Sequence, residues 1–81
     1  MPKVLEEDGF KIIINLNDHE PAHVHVIKSG GETKIDLGQN DEQPSLVWVS
    51  RYMTDRDARK ALALVTANLD KLRQDWGRIH D

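Results

Sequence analysis

Cysteine is absent from this chain, which removes both a disulfide framework and any thiolate metal site; a metal here would have to rest on histidine, carboxylate or water. Long apolar runs are missing too. The longest, Ile12 to Ile14 and Leu46 to Val49, fall far short of the roughly 18 residues that a transmembrane helix needs, and the first residues show no basic-then-apolar signal pattern. These absences lead to the expectation of a cytoplasmic protein with no membrane segment. Nor does one sign of charge dominate: 11 basic and 14 acidic side chains give a net charge of -3, unlike the clustered basic surface of a stand-alone nucleic-acid binder. Arg51, Arg56, Arg59 and Lys60 are the nearest approach to such a surface, and a solvated helix start explains them as well. With 81 residues the chain is expected to form a single domain over 1–81, near the lower size limit for folding alone.

What the sequence does contain is period-two alternation followed by helical periodicity. Phe10, Ile12, Ile14 and Leu16 alternate in a strand expected over about 10–16. A second strand, about 23–28, turns Val24 and Val26 inward and His23, His25 and Ile27 outward. Pro21 disfavours helix in the turn before it. Gly30-Gly31 reads as a two-residue hairpin turn into a strand over about 33–37, with Ile35 and Leu37 inward. A polar loop, Gly38 to Pro44, leads to a short strand at about 45–49, and Met1 to Leu5 is a marginal edge segment.

From Thr54, a plausible N-cap with Asp57 three residues on, the pattern becomes helical over about 55–79. Ala58, Leu62, Val65, Leu69, Leu72, Trp76 and Ile79 form an unbroken apolar stripe. One helix of that extent would be about 40 Å long, twice the roughly 20 Å of a six-residue strand. The expectation is therefore that Leu69, Leu72, Trp76 and Ile79 pack on another chain; the alternative is a break near Asn68. The expected fold is α+β, an antiparallel meander of three to four strands packed on one long C-terminal helix.

The chemically pointed segment is Asn17 to Val26, NDHEPAHVHV. With Gly30-Gly31 as the turn, His25 stands opposite Asp36. Across the first hairpin, one register sets Asn15 opposite His25 and another shifts the pairing by two residues. The shared outward face gathers His23, His25, Asn15 and Asp36, with Asp18, His19 and Glu20 at its rim. Several readings stay open. The histidines serve solubility and hairpin hydrogen bonding; or His23 and His25, with His19 or a carboxylate, hold a divalent transition metal such as zinc; or His23 and His25, supported by Asp36, act as acid and base in metal-independent RNA cleavage, with Lys11 or Lys34 stabilising phosphate charge. A fourth reading makes outward Ile13 and Ile27 an apolar contact patch. Trp48 and Trp76 read as core or interface anchors, and His80 suits the negative end of the helix dipole.

Glu7-Asp8-Gly9-Phe10, Asn17-Asp18-His19-Glu20-Pro21, His23-Val24-His25-Val26 and a final helix with Trp76, Ile79 and His80 together resemble the prokaryotic family called domain of unknown function 4160. The D-H-x-P-x-H-x-H-V spacing carries most of the likeness, at Asp18, His19, Pro21, His23 and His25. The resemblance implies no established catalytic residue. It does imply a two-gene setting beside a small protein of the domain of unknown function 2442 family, as in a toxin and antitoxin pair. The expected partner is accordingly a second copy of the chain or a small protein from a neighbouring gene, and the first expected function is that of a non-enzymatic interaction module.

Overall fold

The computed structural model describes residues 3–80. Five strands come first: β1 Lys3–Glu7, β2 Phe10–Ile13, β3 His23–Lys28, β4 Gly31–Asp36 and β5 Ser45–Val49; α1 Asp55–Ala67 and α2 Leu69–His80 follow. The strands form one antiparallel sheet in chain order, a meander as the turn signals imply, with five strands where three to four are expected. The added strand is β1. Of the marginal segment Met1 to Leu5, residues 1 and 2 lie outside the described residues, and the remainder pairs with β2 across the turn at Asp8 and Gly9, both at positive φ.

Both helices cover one face of the sheet. Phe10, Ile12, Ile14, Val24, Val26, Ile35 and Leu37 meet Ala61 and Val65 of α1 and Leu72 and Trp76 of α2 in one core. Val24, Val26, Ile35 and Leu37 are thus inward as their alternation requires. Leu16 is not: β2 stops at Ile13, and Leu16 is 69% exposed. The cause is a local turn in which the Asn15 amide donates to the Asp18 carboxylate at 3.0 Å and the Asp18 amide donates to the Asn15 carbonyl at 3.1 Å. Those bonds divert the backbone from the ladder. Ile13 is buried and Ile27 half-buried, so the pair does not form the open apolar patch that their outward positions suggest.

The second hairpin turns one residue earlier than Gly30-Gly31 implies. Ser29 and Gly30, at φ 50 and 82, are its central pair, and Lys28 lies opposite Gly31. Two successive left-handed residues are what a type I′ turn needs. Gly31 serves packing instead: a Cβ there would come within 2.7 Å of the Met53 backbone. His25 therefore faces Lys34 and His23 faces Asp36, so the expected His25–Asp36 pair does not form. In the first hairpin the register shifted by two is the one found, with Ile13 opposite His25.

The single long helix is two helices. Thr54 caps α1 as expected, its hydroxyl accepting from the Asp57 amide at 3.0 Å. At the other end the Asn68 side chain donates to the Leu64 carbonyl at 2.8 Å, and its backbone N–H bonds to Leu64 and Val65. The Asn68 side chain thus occupies an acceptor of the helical ladder just where α1 ends and the chain turns. Helices of 13 and 12 residues, each about 20 Å long, match the strands they cover. Leu72 and Trp76 are consequently buried, and Leu69 and Ile79 pack against the same core; the four residues expected to face another chain face their own sheet. Arg73 donates to the carbonyls of Leu37, Asn40 and Glu42, and Lys71 to that of Val4. These bonds fix α2 across the sheet end where β2 stops and β3 begins.

Candidate functional site

That sheet end gathers Asp18, His23 and His25. Period-two alternation sends both imidazoles out of the same face of β3, and the Asn15–Asp18 turn swings the Asp18 carboxylate over them. Each ring is held from behind. His23 Nδ1 lies 2.9 Å from the Pro21 carbonyl oxygen, and His25 Nδ1 lies 3.0 Å from Glu32 Oε2. A carbonyl and a carboxylate can only accept, so both Nδ1 atoms carry a proton, both rings turn Nε2 forward, and in its neutral form each ring presents an Nε2 lone pair there.

The forward atoms converge. His23 Nε2 is 3.5 Å and His25 Nε2 3.7 Å from Asp18 Oδ2, both beyond the length of a good hydrogen bond. All three donor atoms lie within 4.8 Å of one another. Tetrahedral zinc with bonds of 2.0–2.1 Å spaces its ligand atoms about 3.3–3.4 Å apart, so both His–Asp separations need to contract by only a few tenths of an ångström. The side chains are 7%, 17% and 15% exposed for His23, His25 and Asp18, sheltered yet reachable from solvent. Burial pushes the Asp18 carboxyl up, but the Asn15 amide bond and the attraction of His23 and His25 in their protonated forms outweigh it and leave the pKa below its ordinary value. Asp18 is thus an anion facing two Nε2 atoms, which with both rings deprotonated at Nε2 complete a set suited to a cation.

Helix α2 supports this arrangement from beneath. The Trp76 ring packs 5.1 Å from His23 and its Nε1 donates to Glu20 at 3.0 Å. His80 brings Nε2 to within 3.2 Å of the Asn15 carbonyl and Nδ1 to within 3.0 Å of the Trp76 carbonyl, tying the last helical turn to the Asp18 turn. Trp48 of β5, 6.2 Å from His25, stands at the open side.

The structure brings together two of the expected metal residues, His23 and His25. His19 is exposed and outside the cluster, and its neighbour Asp18 occupies the third position. Asp36, though opposite His23, is outside the cluster, its carboxylate accepting the Gly38 amide at 3.0 Å. A turn at Gly30-Gly31 sets Glu32 four residues along β4 from the partner of His25, which hides it from the sequence. With Ser29-Gly30 as the turn, Glu32 falls two residues along β4 from the partner of His25, diagonal to it and within reach.

No curated protein and no solved structure matches this chain significantly. A sequence profile does match, over residues 9–77, a span that includes the Asp18 turn, β3 and most of α2. The chain belongs to the family described as Domain of unknown function (DUF4160).

Proposed function

We propose that this protein binds a divalent transition metal of the zinc class through Asp18, His23 and His25, with at least one coordination position left open. The observation that carries the reading is the convergence of two Nε2 atoms and one carboxylate while both Nδ1–H groups are tied to acceptors. Two histidines and one carboxylate form a recurrent open metal set, and a carboxylate behind a ligating imidazole, as Glu32 stands behind His25, raises its basicity. Metal-independent RNA cleavage fits less well, because an acid and a base should flank the scissile phosphate, whereas these rings face one carboxylate. The interaction-module reading drew on a free helical stripe; with Leu72 and Trp76 in the core it rests on the family resemblance alone.

Untagged protein, stripped with chelator and titrated with zinc in a calorimeter, should take up one equivalent, and His25→Ala should lose that binding while keeping its fold by circular dichroism. Absence of saturable uptake by the wild type, or equal uptake by His25→Ala, overturns the proposal.

A further inference from the structure

The two edges of the sheet differ in kind. β1 carries Lys3, Glu6 and Glu7 among its five residues, the charged form by which exposed edges resist pairing. β5 reads Ser-Leu-Val-Trp-Val, with no charge and no proline, and all five residues are exposed. Six large hydrophobic residues are exposed among the described residues, and five of them, Leu46, Val47, Trp48, Val49 and Tyr52, lie on or just after β5. Leu46 sits opposite Ile35 of the inward face and Trp48 opposite Lys34 of the outward face, so the strand is apolar on both sides.

We propose that β5 is the seam of a homodimer, pairing antiparallel with β5 of a second copy about a two-fold axis normal to the sheet. An unpaired edge offers main-chain groups that only another strand can satisfy in series, and a partner strand must be apolar on both sides to suit Trp48 on one and Leu46 on the other. β5 itself meets that requirement. Two copies, each of net charge -3, repel one another except along an uncharged stretch such as this. Asp41 and Glu42 precede the strand and Arg51 follows it, so antiparallel pairing brings the acidic flank of one copy towards the basic flank of the other. The charges on β1 block a head-to-tail β1–β5 contact, so association closes at two copies and does not run on into a filament.

Val47 is the extra residue where the β4–β5 register shifts. This bulge limits the number of main-chain bonds across the seam, leaving apolar side chains to supply most of the attraction and making the dimer sensitive to dilution. A two-fold axis normal to the sheet keeps both His/Asp sites on one surface, and five strand spacings separate β3 from its counterpart, roughly 24 Å. The dimer does not depend on metal binding.

Light scattering over a dilution series tests it. Wild type should give twice the chain mass when concentrated and approach the single-chain mass when dilute; Val47→Lys, which sets two ammonium groups in the seam, should stay at single-chain mass. Because the chain has no cysteine, single cysteines at Ser45 to Val49 report the seam directly. Opposed residues there have Cα atoms about 4.5–5.5 Å apart, inside the range a disulfide spans. Oxidation should link copies at one favoured β5 position far faster than in Lys3→Cys, and this result stands even if Val47→Lys folds poorly. Single-chain mass at every concentration, a mass that keeps growing beyond two copies, or β5 cross-linking no faster than that of Lys3→Cys overturns the proposal.

Discussion

Leu72→Ala tests most directly whether α2 belongs to this chain's own core. Leu72 is fully buried among the sheet and helix residues of one cluster. Truncating a buried leucine to alanine removes its transfer free energy and leaves a cavity, at a cost of about 2–5 kcal/mol. Complete burial places this site near the middle of that range, about 3 kcal/mol, and in a domain this small each kcal/mol moves the melting temperature by roughly 4–8 °C. The variant should therefore melt roughly 12–24 °C below wild type, followed by circular dichroism at one dilute protein concentration. Gln74→Ala, an exposed change on the same helix, should fall within about 0.5 kcal/mol of wild type. A loss at Leu72 of less than about 1 kcal/mol would refute the packing of α2 described above and return its stripe to an outside partner.

Three further outcomes follow from particular contacts. Glu32→Ala frees the Nδ1 side of His25 and should weaken zinc affinity roughly 10–100-fold by calorimetry without removing a ligand; unchanged affinity would dismiss Glu32 as a support. The Asp18 pKa is lower folded than its ordinary value of 3.8. Its contribution to stability is thus present above that value and disappears as pH falls through the folded pKa, so in chelator wild type should lose more stability than Asp18→Asn on acidification below about pH 4, and parallel urea midpoints through that window would contradict the assignment. Gly31→Ala should cost about 1–3 kcal/mol of overpacking, because its Cβ would meet the Met53 backbone at 2.7 Å, whereas a neutral result in urea unfolding would show that the Met53 loop yields freely.

The amino-acid sequence by itself determined the features that depend on near neighbours. Alternation placed Val24 and Val26 on the core face and His23 and His25 together on the other, because successive strand residues point to opposite faces whatever the strand pairs with. Thr54 with Asp57 marked the start of α1 because a cap needs only its own first turn. Only the tertiary structure decided register, since a two-residue slip leaves every inward residue inward; that slip separated His25 from Asp36 and gave it Glu32. The break at Asn68 escaped the periodicity for a similar reason. The apolar spacing continues through Asn68 without a gap, and it is the short sheet beneath, together with the Asn68 bond to Leu64, that folds two helices back onto one core. The choice of Asp18 over His19 was likewise three-dimensional, because Asn15, whose carbonyl is held at the sheet end by His80, aims the carboxylate at the two rings through its amide.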